Sequence, residues 1–234
     1  MILFGSIVNF LLIIMGSLTG RFLKEIPEKM KETVMYGIGL AIVAIGIQMT
    51  FDSTQLLIVI ISIVVGAVIG EWLDIEHKIN ALGMWIEKKM PAQKEQQGIA
   101  QGFVTATLIF AVGSMAIIGA IDSGLRNDHD VLIMKGIVDG FTSIILSSTL
   151  GIGVLFAAFP VLIYQGLISL LATQINKFVP DDLIQLFITE MTATGGLMII
   201  GIGLNLIGLT KIRVANLIPA IFVVGIIVTI VHLF

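Results

Sequence analysis

The sequence predicts an all-α membrane protein with about eight transmembrane helices. Three observations lead there. Apolar residues make up 57% of the 234-residue chain and charged residues 12%, about half the charge of an ordinary soluble domain. The mean hydropathy is +1.07. The apolar residues also fall into long runs, each near the roughly 20 residues that a bilayer's hydrocarbon core requires.

The runs lie at about 2–20, 34–51, 55–73, 99–121, 131–150, 152–172, 183–208 and 214–234. They are apolar throughout, whereas strands of a membrane barrel would alternate polar and apolar residues. Ile2 to Gly20 is longer than a signal-peptide core and lacks a preceding basic segment, so the first run is expected to stay as a span.

Basic residues set the orientation. The loop after span 1 carries Arg21, Lys24, Lys29 and Lys31. The loop after span 3 carries Lys78, Lys88, Lys89 and Lys94, and that after span 7 carries Lys211 and Arg213. With eight spans these loops share one side, leaving Arg126, Lys135 and Lys177 for the other. Basic loops stay cytoplasmic, so both termini are expected outside.

Between spans 3 and 4, Ile75, Ile79, Leu82, Ile86 and Met90 recur at helical spacing with charges between them, and Pro91 follows. This predicts a cytoplasmic amphipathic helix over about 75–91, lying in the interface or packed on the protein's own loops, with Trp72 and Trp85 near headgroup depth.

The chain reads as a single transmembrane domain over 1–234 with an internal repeat. Span 2 aligns with span 7 without gaps, Gly39 meeting Gly201 and Gly46 meeting Gly208, and the same offset carries span 3 onto span 8. Ile26-Pro27-Glu28 resembles Val179-Pro180-Asp181. The first copy is about 1–74 and the second about 152–234, with central spans over about 99–150. Spans 1–3 and 6–8 would then be oppositely oriented copies, an arrangement found in secondary transporters.

Candidate functional residues are the ionisable and polar groups inside spans, where each costs several kcal/mol unless paired, neutralised or hydrated. Asp139 lies in span 5 and Glu190 in span 7, with Asn9 at similar depth in span 1. Glu190, Thr194, Leu197, Gly201, Asn205 and Gly208 form one helical stripe. Asp139, Ser143 and Ser147 form another, and Gly5, Asn9, Gly16 and Gly20 a third. The three faces are expected to line one cavity. Structural readings stand beside this one. Lys135, four residues before Asp139, offers an ion pair. Glu190 can be bonded to a neighbouring helix, and Asp122 can cap the end of span 4. Gly16 to Gly20, Gly66 to Gly70 and Gly136 to Gly140 have the spacing of tight helix packing. Gly195-Gly196 suggests a break in span 7 that would offer backbone groups to a ligand, and Pro160 and Pro219 suggest kinks.

The runs Gly5-Ser-Ile-Val-Asn9, Gly113-Ser-Met-Ala-Ile-Ile-Gly119, Lys135-Gly-Ile-Val-Asp139-Gly140, Gly151-Ile-Gly-Val154 and Tyr164-Gln-Gly166, with Glu190, Asn205, Asn216 and Pro219, resemble the bacterial YqgA/YdfK type of membrane proteins. The resemblance spans nearly the whole chain. It implies a bacterial cytoplasmic (inner) membrane and no established activity.

The functional expectation is a secondary transporter or exchanger of an ion or small solute, coupled to protons or sodium. Glu190 would take the coupling cation, Asp139 would assist, and Asn9, Thr194 and Asn205 would be neutral ligands. A passive channel or a membrane scaffold would use the same residues differently. The net charge of −3 lacks the basic clustering that nucleic acid requires. No nucleotide-binding loop is present. The chain has no cysteine, hence no disulfide or thiolate site. His77, His129 and His232 are scattered, so no metal or other cofactor is assigned. No hydrolase motif is present, so no enzyme is expected; Asp122 with Asp139 as an aspartyl pair is the weakest alternative. The bilayer is the partner expected from composition. The chain's size is compatible with a homodimer, but no pattern fixes an interface.

Overall fold

The computed structural model describes residues 1–22, 28–81 and 99–233. Among the described residues the chain is helical with no strand. The helices are α1 (Phe4–Phe22), α2 (Glu28–Phe51), α3 (Leu56–Leu73), α4 (residues 75–81), α5 (Ile99–Ala111), α6 (Ser114–Arg126), α7 (Asp130–Leu150), α8 (Gly153–Phe156), α9 (Ala158–Phe178), α10 (Asp181–Leu206) and α11 (Pro219–Leu233), with a 3-10 turn at Val214–Leu217. The amphipathic segment is helical over 75–81. Leu82, Trp85, Ile86, Met90 and Pro91 lie outside the described residues.

Six stretches are long and apolar enough to cross a membrane: α1, α3, α7, α8–α9, α10 and the 3-10 turn with α11. The α5–α6 pair makes a seventh if it is one span. Within α2 a shorter stretch, Met35–Phe51, is apolar.

The breaks differ from those the sequence suggested. The expected span over 99–121 is two helices bent by 60°. The bend falls at Gly113, whose φ of 132° lies where only glycine is relaxed. By contrast, α10 runs unbroken through Gly195-Gly196. A Cβ on Gly196 would stand 2.7 Å from the Gly46 carbonyl oxygen of α2, so the small residue serves close packing. Neither proline kinks a helix interior. Pro160 is the third residue of α9 and Pro219 the first of α11, first-turn positions where no N–H bond is forfeited.

The chain forms two compact units. Unit 1 is Met1–Glu28 with Asn80–Phe178; unit 2 is Lys29–Ile79 with Val179–Phe234. In unit 1, α1 runs parallel to α7, because Gly16 faces Gly140 and Gly20 faces Ile144. Cβ atoms there would lie 2.1 Å and 2.2 Å from backbone oxygens, so the glycines permit backbone-to-backbone contact. Helix α9 runs antiparallel to α1: Leu3 lies beside Gly166, and the Phe10 ring packs edge-on to Phe159.

In unit 2, α2 pairs antiparallel with α10, with Gly39 against Gly203 and Gly46 against Gly196. Helix α3 pairs antiparallel with α11, with Gly66 against Ala220 and Gly70 against Asn216. The lipid-type surface is evident on α3, where Leu57, Val64, Val68 and Trp72 are exposed while Val59, Ser62, Gly66 and Gly70 face inward.

Candidate functional site

Unit 1 holds a buried polar network on three helices. Asp139 is nine residues into α7, about 13 Å along its axis. Asp139 Oδ2 forms an ion pair with Lys135 Nζ, one turn earlier on the same helix. It also accepts a hydrogen bond from Asn9 Nδ2 of α1 at 3.1 Å. Asn9 Nδ2 donates its second hydrogen to Gln165 Oε1 of α9 at 3.2 Å. Asn9 and Gln165 are fully buried, and Lys135 and Asp139 nearly so.

Among the described residues, two amide ends of this network have no partner: Asn9 Oδ1 and Gln165 Nε2. Leaving a buried polar atom unserved costs about 1–3 kcal/mol. More unserved groups lie on the same helices, including Ser6, Ser143, Tyr164 and Ser169. The stripes on α1 and α7 face each other directly. Ser147 Oγ donates to the Ser17 carbonyl at 2.7 Å, and Gly136 and Gly140 pack on Asn9 and Leu12. These two faces therefore close into a packed seam.

The other candidates are placed differently. Glu190 is fully buried in unit 2 and is held by the turn between α2 and α3. Its Oε2 accepts from Ser53 Oγ at 2.6 Å. Its Oε1 accepts from Thr54 N and Thr54 Oγ1, both at 2.9 Å, and from Gln55 N at 3.0 Å. Gln55 is the residue before α3, so the carboxylate satisfies backbone donors at a helix start that has no cap of its own. Thr194, one turn on, is buried and its hydroxyl unserved.

Asn205 anchors a loop. Its Nδ2 donates to the Ile212 carbonyl at 2.7 Å, and its Oδ1 accepts from Ile212 N at 2.8 Å and Thr210 Oγ1 at 2.7 Å. Asp122 is a partly exposed partner for Arg126, 3.5 Å away and one turn on. Asn216 Oδ1 accepts from Glu76 N at 2.7 Å at the start of α4. Burial holds the nearby Glu76 carboxyl above its usual range, against the lowering effect of the Ala215 N–H and Arg213.

The structure thus unites Asn9 and Asp139, gives Asp139 the Lys135 partner, and adds Gln165. Gln165 carries no charge and so does not stand out in the sequence, although the rule that singles out Asn9 applies to it equally. It is a lone amide inside an apolar run, and such a group needs a partner in lipid.

Helices of membrane length carrying a buried, partly unserved polar network define the class: a polytopic α-helical membrane protein. A family model described as "Protein of unknown function (DUF554)" matches residues 4–229, and the chain belongs to that family. It is 32% identical to the uncharacterized membrane protein YdfK of Bacillus subtilis (strain 168) over 237 residues, covering 99% of this chain and 98% of the relative. It is 27% identical to the uncharacterized protein YqgA of Escherichia coli (strain K12) over 224 residues, covering 93% and 92%. No solved structure matches the chain.

Proposed function

We propose that this protein is a secondary transporter or exchanger of an ion or small solute, coupled to protons or sodium, in a bacterial inner membrane. The observation that carries the reading is the Asn9–Lys135–Asp139–Gln165 network. Membrane helices rarely bury an ion pair and two amides together without a functional use, and here two amide ends remain unserved. Asp139 with Lys135 becomes the coupling centre. Glu190, whose oxygens are occupied by four donors, becomes a structural pin.

Helix directions support an eight-span map with both termini on one side, and the basic loops favour the outside for that side. With strict alternation, spans 1 and 5 run the same way and spans 1 and 6 oppositely, as α1, α7 and α9 do. The antiparallel pairs α2/α10 and α3/α11 fit the same map. They also support the inverted repeat, since a twofold axis in the membrane plane would exchange α2 with α10 and α3 with α11.

The test is purified protein in liposomes under an imposed pH or sodium gradient, with internal pH and sodium followed. Gradient-driven flux that Asp139→Asn abolishes is expected. Flux that runs unchanged in well-folded Asp139→Asn would remove the coupling role. Unsaturable flux independent of any gradient would favour a passive channel. A scaffold predicts no flux at all; its support is that Glu190, Asn205 and Asp122 all serve local structure.

A further inference from the structure

The least explained atoms in unit 1 are the free ends of two amides. Their orientation is fixed rather than arbitrary. Asp139 offers only acceptors to Asn9, so Asn9 must turn its Nδ2 toward it and its Oδ1 away. The second hydrogen of Asn9 Nδ2 then requires an acceptor, which sets Gln165 Oε1 inward and leaves Gln165 Nε2 unserved. Flipping either amide to serve its free end would set like against like in the network.

The same corner holds unused capacity of both signs. Lys135 has three N–H donors and, among the described residues, one partner, Asp139. Asp139 uses Oδ2 for both of its bonds. The site therefore combines spare donors on Lys135 and Gln165 with spare acceptors on Asp139 and Asn9.

We propose that this network binds a small zwitterionic solute of the α-amino-acid class; the inference rests on the transporter reading and names its substrate. Charge selects the class. With no coupling cation bound, Lys135 and Asp139 neutralise each other, so a solute of net charge bound in that state would leave an uncompensated charge in a dry site, which is strongly unfavourable. A zwitterion adds none. Its carboxylate would meet the Lys135 and Gln165 donors, and its ammonium the Asp139 carboxylate and Asn9 Oδ1. The ligand must be small, because α1 and α7 touch through Gly136 and Gly140. Beside Gln165, Gly166 has room for a methyl group, with Leu3 its nearest neighbour. Among the described buried glycines of this unit, it alone would give a Cβ no neighbour nearer than 3.5 Å.

The test is calorimetric titration of the intact protein in lipid nanodiscs. Probes are glycine, the other α-amino acids and glycine betaine in turn, with acetate, methylammonium and urea as controls. At least one zwitterion should bind saturably, and each control at least about tenfold more weakly, since a site built on paired hydrogen bonds rejects half-ligands. Gln165→Met, similar in length but without a donor, should weaken binding by about tenfold or more. The double variant Lys135→Met/Asp139→Leu removes both charges together and should stay folded but bind no zwitterion.

Absence of saturable binding by every zwitterion would mean the corner holds water only and would overturn the assignment. Equal binding of acetate or methylammonium alone would overturn it too, as would full binding by the double variant. Binding needs no gradient, so the two readings fail separately. Gradient-driven flux without zwitterion binding sinks this inference and spares the transporter. Binding without movement does the reverse.

Discussion

Replacing Glu190 separates a structural pin from a coupling residue. In Glu190→Gln the amide oxygen can still accept from Thr54 N, Thr54 Oγ1 and Gln55 N, and the amide nitrogen can donate to Ser53 Oγ in place of the bond it now receives. The bonds survive in number but lose charge assistance, about 1 kcal/mol each. The turn borders solvent, with Thr54 and Gln55 exposed, so water recovers roughly half and the net cost is about 2 kcal/mol. Glu190→Ala loses all four bonds and empties a buried site, costing about 4 kcal/mol. For a chain of this size the midpoint should fall by roughly 4–8 °C for Gln and about twice that for Ala. Thermal unfolding in one detergent, read by circular dichroism, measures both. Hydrogen exchange should show the start of α3 opening first. An unchanged midpoint in Glu190→Gln together with lost gradient-driven flux would refute this reasoning and return the coupling role to Glu190.

Three further outcomes follow from the same structure. Lys135→Met alone strands a buried carboxylate and should cost about 3–5 kcal/mol, whereas Lys135→Met/Asp139→Leu should lie near the parent; equal midpoints for all three proteins would contradict a buried pair. Gly16→Ala places a methyl 2.1 Å from the Gly140 carbonyl oxygen and must part α1 from α7, an overpacking cost of about 1–3 kcal/mol, while Gly37→Ala meets nothing within 4 Å and should stabilise α2 by about 0.5–1 kcal/mol; thermal midpoints that fail to separate the two variants would refute the packing account. Single cysteines at Lys29 and Lys211 should resist an impermeant thiol reagent in intact cells while those at Asp128 and Asp181 react, and the reverse labelling would invert the topology.

Much of the fold was legible because the bilayer imposes simple demands. Length and apolarity mark spans, whatever their neighbours, and six of the expected spans are helical stretches long and apolar enough to cross a membrane. Small-residue spacing also worked: Gly16–Gly20, Gly66–Gly70 and Gly136–Gly140 all lie at tight helix contacts, because the motif expresses a steric condition local to one helix. The i, i+4 ion pair of Lys135 and Asp139 was readable for the same reason.

What the sequence by itself determined is therefore the membrane class, the approximate spans and which helix faces are polar, all properties written within single segments. Only the tertiary structure decided which face meets which. Asn9 and Asp139 are 130 positions apart, Asn9 and Gln165 are 156 apart, and Glu190 finds its donors 135 to 137 positions away. Helical periodicity gives a side chain's direction but not what stands opposite. So Glu190, lacking a basic residue nearby in sequence, looked unpaired until the α2–α3 turn supplied its donors. Likewise Gly195-Gly196 looked like a helix break until α2 packed against it, while the true bend at Gly113 depends on a backbone angle that sequence does not display.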